Sequence, residues 1–104
     1  MITATIEDVP GRKIVEILGT VRGSTVRARH VGRDISAVFK NLVGGEIDDY
    51  TKLLAESREQ AFDRMTAEAR ARGADAVLGI RYSTSAISAG AAEILVYGTA
   101  VKLD

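Results

Sequence analysis

The chain has no cysteine and no tryptophan, and only one proline, one histidine and two methionines among its 104 residues. Without cysteine there is no disulfide, thiolate metal site, iron–sulfur cluster or cysteine nucleophile. A single histidine leaves little for a soft metal, which wants thiolate or imidazole ligands. Aromatic residues are 5% of the chain, too few for a base-stacking platform. An excess of one charge is missing as well. Fourteen basic and fourteen acidic residues cancel to a formal net charge of zero. Neither nucleic acid nor a membrane surface is therefore an expected partner. No apolar run approaches membrane-spanning length. The opening MITATIEDVPGRK lacks the basic and apolar regions of a secretory signal. A reducing cytoplasm is the expected location. Neither G-x-G-x-x-G nor a Walker A pattern occurs, and the lone histidine has no evident serine partner or nucleophile elbow. No catalytic residue and no cofactor is expected.

What is present is a core. Hydrophobic residues make up 46% of the chain, enough for one domain spanning residues 1–104. The stretch 46–81 organises it. Ile47, Tyr50, Leu53, Leu54, Ala61, Phe62, Met65 and Ala69 recur at three- and four-residue steps, the apolar stripe of a helix. Asp48 and Asp49 suit the positive end of the helix dipole, and Arg70 and Arg72 its negative end. Gly73 supplies a left-handed stop. Such a helix would be roughly 40 Å long. That is more than the width of so small a domain, so part of it is expected to pack outside its own subunit.

Residues 2–6 alternate apolar side chains with threonine, and residues 13–22 follow the Pro10-Gly11 turn. The two segments are expected to pair as a hairpin. Apolar residues on both faces of 13–22 predict burial on both sides. The basic segment 22–33 reads as a short edge strand or an extended loop. Ile35, Val38, Phe39 and Leu42 predict a shorter helix over 33–43, closed by Gly44-Gly45. After Gly73, residues 75–83 read as a strand with Ala76, Leu78, Ile80 and Tyr82 on one face. Residues 84–90 read as a flexible loop, and 92–103 as the last strand.

Several short pieces also resemble a known family. They are Lys13-Ile14-Val15-Glu16-Ile17-Leu18-Gly19, Arg33-Asp34-Ile35, Val43-Gly44-Gly45, Arg72-Gly73-Ala74-Asp75-Ala76-Val77-Leu78-Gly79 and Tyr97-Gly98-Thr99-Ala100-Val101. Their order and spacing, almost end to end, resemble the YbjQ family of small bacterial and archaeal proteins, also called UPF0145. The resemblance implies a β-α-β-β core of the dodecin-like kind assembled into a ring, with a pentamer favoured. It also brings a heavy-metal-binding label without an established activity. Glu46-Ile47-Asp48-Asp49 and His30 depart from the usual pattern, so no site is carried over.

Arg27, Arg29 and Arg33 are the candidates for an anion site, because guanidinium forks match phosphate. A solvated face or intersubunit ion pairs would explain the same cluster. His30 with Asp34 is the one histidine–carboxylate pair available to a metal, and one subunit cannot complete that site. A surface histidine near a helix start is the plainer account. Gly79 and Gly98 open space for a flat ligand or mark a bulge or close approach. The expected fold is α+β, a small antiparallel sheet packed on one long helix in the order β-β-α-α-β-β. Ile94, Val96, Gly98 and Ala100 are assigned to the helix side. Leu95, Tyr97, Val101 and Leu103 then face away and are the candidate oligomer contacts. The expected function is that of a non-enzymatic homo-oligomeric ring that binds or scaffolds, with a protein partner among the candidates. The alternative is a small-ligand protein holding a heavy-metal ion or an anionic molecule between subunits.

Overall fold

Five elements appear in the computed structural model, which describes residues 1–28, 48–88 and 90–104. They are β1 (Ile2–Thr3), β2 (Ile14–Ala28), α1 (Asp48–Ala71), β3 (Ala76–Ser88) and β4 (Ala91–Leu103). The shorter helix expected over 33–43 lies outside the described residues. The apolar stripe does form one helix of 24 residues, about 36 Å long at 1.5 Å per residue. Gly73, at φ 75°, ends it. The Ala74 amide donates to the Ala69 carbonyl at 3.0 Å, and the Gly73 amide to the Arg70 carbonyl at 2.9 Å. That pair of bonds is a Schellman stop.

The sheet order is β1-β3-β4-β2. β2 and β3 each pair antiparallel with β4, but β1 runs parallel to β3. The sheet is therefore mixed, not antiparallel throughout. The expected N-terminal hairpin is also corrected. Gly11, at φ 81°, does make the turn, yet only a Val9–Arg12 bridge closes it. Residues 2–6 instead run beside β3. The Ala4 amide donates to the Val77 carbonyl at 3.0 Å, and the Gly79 amide to the Ile6 carbonyl at 2.9 Å.

The physical reason is the face of the sheet turned away from α1. Ala76, Leu78, Val101 and Leu103 form a second small core there, and Ala4 and Val9 cover it. Val101 and Leu103 do face away from the helix but, expected as candidate oligomer contacts to be uncovered within the subunit, are 2% and 7% exposed. Burial on both sides of residues 13–22 also fails at one end, because Ile14, Val15 and Ile17 are exposed.

The main core lies between sheet and helix. Val21, Val77, Ile80, Ile94, Val96 and Ala100 meet Ala61, Met65 and Ala69. On β4 the helix side is as expected. On β3 it is not, because the ladder shifts register between Leu78 and Arg81 and Gly79 takes φ 63°. That bulge moves Ile80 to the helix side while Ala76 and Leu78 stay on the other. Residues 84–88, expected as loop, continue β3, and its hairpin with β4 extends to Ser88 and Ala91. β2 likewise continues through the basic stretch to Ala28. Buried Thr25 donates from Oγ1 to the Ser57 carbonyl at 3.1 Å, and Ser57 from Oγ to the Leu53 carbonyl at 2.8 Å.

Three helix side chains seal the free edge of β2. Arg72 Nη1 donates to the Leu18 carbonyl at 3.1 Å and to the Thr20 carbonyl at 3.2 Å. Glu68 Oε2 accepts from the Arg22 amide at 3.1 Å, and Arg64 Nη1 donates to the Ser24 carbonyl at 2.6 Å. Glu68 and Arg72 also pair with each other at 2.7 Å, the i,i+4 spacing legible in the sequence. Arg72→Ala is expected to lower stability by about 1 kcal/mol, since the bonds are partly exposed and water replaces part of them. Urea unfolding is the check. A loss below about 0.3 kcal/mol would mean that water serves those carbonyls as well as the guanidinium does.

Candidate functional site

The face away from α1 carries the candidate site. Its residues follow from the β2–β4 register, in which Ile17 sits opposite Val101, Thr20 opposite Thr99, Arg22 opposite Tyr97 and Ser24 opposite Leu95. The N-terminal segment covers one end of this face only. At the border of that cover Ile17, opposite Val101, is 73% exposed, and farther along the face Tyr97 is 40% exposed with Leu95 half-buried two residues before it.

A cleft of about 330 Å³ opens between the N-terminal segment and β2. Its walls are Glu7, Ile14 and Ile17, and its floor is Leu78, Gly79, Thr99 and Val101. Gly79 opens it, because a Cβ there would meet no atom within 4 Å. Gly98 does the opposite work. A Cβ on it would lie 2.7 Å from Val77 Cγ1 and 3.0 Å from the Leu78 carbonyl oxygen. Of the two glycines, one borders a space and the other is a close approach. The cleft is apolar with one hydroxyl and one carboxylate, suited to a small apolar body bearing a donor or a positive charge.

Of the other candidates, only Arg27 lies among the described residues. Arg27 is half-buried on the helix side, and its Nη2 donates to Gln60 Oε1 at 2.6 Å. Arg29, Arg33, His30 and Asp34 lie outside the described residues. Among the described residues no three His, Cys, Asp or Glu side chains gather as a metal site. No helix among them is long and apolar enough to cross a membrane. The Tyr82 hydroxyl is pushed above its usual 10, first by burial and then by the Glu59 carboxylate, with Arg58 opposing.

Sequence reasoning did not single out Glu7, Ile14, Ile17 and Thr99. The only signal for them was Gly79. Exposure of Ile14 and Ile17 depends on a cover that stops short, which no local pattern encodes.

Comparison with known proteins agrees with this fold. A family profile described as "YbjQ_1: Putative heavy-metal-binding" matches residues 1–104. A UPF0145 protein of Thermotoga maritima is 59% identical over 104 residues, covering 100% of this chain and 98% of the relative. One from Thermus thermophilus is 54% identical over 104 residues, covering 100% of this chain and 91% of its own. One from Archaeoglobus fulgidus is 56% identical over 103 residues, covering 99% and 95%. A crystal structure of a DUF74-family protein of unknown function from Pediococcus pentosaceus superposes with a TM-score of 0.63 at 17% identity. It covers 100% of this chain and 98% of that one, which is a likeness of fold.

Proposed function

The chain belongs to the YbjQ (UPF0145) family, and we propose that it is a non-enzymatic, cytoplasmic homo-oligomer that binds or scaffolds through its assembled surface. The support is the face away from α1, where Tyr97 and Leu95 lie beyond the N-terminal cover and Ile17 is exposed at its border. Shape adds to it. The described residues have a radius of gyration of 17.5 Å, against about 12 Å for a compact body of that many residues. A second copy laid on that face would bury apolar side chains at roughly 1.5–3 kcal/mol each. A symmetric ring repeats the gain at every interface, and the number five rests on the resemblance of motifs alone. Light scattering at micromolar concentration should report an oligomer. Leu95→Glu should dissociate it or precipitate it, and Glu59→Lys on the exposed side of α1 should not. A wild-type monomer would remove the proposal.

The cleft favours a second reading, a small-molecule site shared with assembly. Its one charged wall is the acid Glu7, which disfavours an anion there. A heavy metal fits poorly, since soft ions want thiolate or imidazole and no such cluster exists among the described residues. Elemental analysis after dialysis is expected to find zinc and copper well below one per subunit. One metal per subunit or per ring, lost on His30→Ala, would reverse that expectation.

A further inference from the structure

The two edges of the sheet are treated differently. Along β2 the edge is managed from its start to Ser24. Register shifts between Ile14 and Glu16 and between Ile17 and Gly19 disrupt its lower end, as bulges do at protected edges. Arg64, Glu68 and Arg72 occupy the groups of Leu18, Thr20, Arg22 and Ser24. Among the described residues the opposite edge is covered only at its start. The N-terminal segment accompanies β3 as far as Ile80, whose amide donates to the Ala4 carbonyl at 3.1 Å, and ends with Thr5 accepting from Arg81 Nη1. From there β3 is the edge. Residues 81–87 are all exposed, and 82–88 hold no charge and no proline.

The ladder tells which groups are free. In an antiparallel sheet, successive residues turn their N–H and C=O to opposite sides. The sealed groups of β2 belong to residues 18, 20, 22 and 24, so Val21, Gly23 and Thr25 bond β4 at Gly98, Val96 and Ile94. Tyr97, Leu95 and Glu93 then bond β3 at Arg81, Ser83 and Ser85. The backbone groups of Tyr82, Thr84 and Ala86 are left pointing outward, with no partner among the described residues.

We propose that the edge of β3 at Tyr82, Thr84 and Ala86 pairs, strand to strand, with a second copy of this chain. The proposal rests on the homo-oligomer reading and gives it a hydrogen-bonded contact. An edge of bare backbone groups is completed by another strand. Apart from Tyr82 and Ile87, the side chains of 82–88 are serine, threonine and alanine, which give little to select a foreign peptide. The edge is also continuous with the candidate face, since Ser83 pairs with Leu95 and Arg81 with Tyr97. A copy that buries Leu95 and Tyr97 comes to lie alongside it.

Amide hydrogen exchange on the full-length wild-type oligomer is the test, with Thr84→Pro as the companion variant. Proline at 84 removes an outward N–H and no bond to β4, so the subunit keeps its fold by circular dichroism. The amides of Tyr82, Thr84 and Ala86 are expected to exchange at least about a hundredfold more slowly than in an open strand. Thr84→Pro is expected to shift the protein to smaller species on light scattering. Fast exchange at all three amides in a wild-type oligomer would overturn this contact and leave the homo-oligomer standing. An unchanged oligomer in folded Thr84→Pro would do the same. A monomeric wild type would take down the homo-oligomer itself.

Discussion

Gly23→Ala is expected to lower stability by at least about 3 kcal/mol, above the usual range for one added methyl group in a core. Gly23 lies in the middle of β2, where α1 crosses closest. A Cβ there would collide with the Ala61 carbonyl oxygen, and would sit 2.6 Å from the Met65 amide nitrogen and 2.9 Å from Arg64 Cβ. The first two are helix backbone atoms and cannot rotate aside. Relief comes only by lifting the helix, which opens the core between Val21, Val96 and Met65 and pulls Arg64 and Glu68 off the β2 edge. The other strand glycines set the scale. At Gly98 the nearest atom is Val77 Cγ1 and the nearest backbone atom, the Leu78 carbonyl oxygen, stands off at 3.0 Å, so Gly98→Ala should cost less. At Gly79 nothing is near, and the cost of alanine is the left-handed φ, about 1–2 kcal/mol. Urea denaturation at one protomer concentration should rank them Gly23, then Gly98 and Gly79. A Gly23→Ala protein within about 1 kcal/mol of wild type would mean that the helix lies farther from the sheet.

None of that importance was legible in Arg-Gly-Ser-Thr. A glycine pressed by a helix and a glycine in a loop look alike in sequence, because the pressing residues are some forty positions away. The helix itself was legible, since a 3.6-residue period repeated over six turns has no competing account. So were Gly73 as its stop and the alternation of Ile94, Val96 and Ala100. Strand β3 was half legible. Ala76-Val77-Leu78-Gly79-Ile80 alternates cleanly only if nothing interrupts it, and the bulge at Gly79 changes the parity. Residues 84–88 looked like loop because they are small and polar. They become strand because β4 provides a ladder of matching length. Local reasoning joined residues 2–6 to their neighbours across the Pro10-Gly11 turn. A nonlocal need overrode it, the cover required by Ala76, Leu78, Val101 and Leu103. The same cover removed two of the four candidate contact residues from the surface and left Leu95 and Tyr97.

Met65→Ala is the other change expected to be severe, at about 2–5 kcal/mol. Met65 is fully buried, the largest such side chain among the described residues. It sits in the core cluster with Val21, Val96 and Ala61. Truncation loses the transfer energy of three heavy atoms and leaves a cavity whose cost depends on how far the walls collapse. Here the walls are held. The helix backbone at Met65 already rests on Gly23 and cannot move inward, and β-branched Val21 and Val96 have little rotamer freedom to fill the space. The loss should therefore fall in the upper half of the range. For a domain of this size each kcal/mol is worth about 4–8 °C in Tm, so a fall of at least about 14 °C is expected. Met65→Leu keeps the volume and should cost less than about 1.5 kcal/mol. Because an oligomer's Tm depends on concentration, the three proteins are to be melted at equal protomer concentration. Equal losses for leucine and alanine would show that the sulfur and the unbranched shape matter there, and that cavity volume does not.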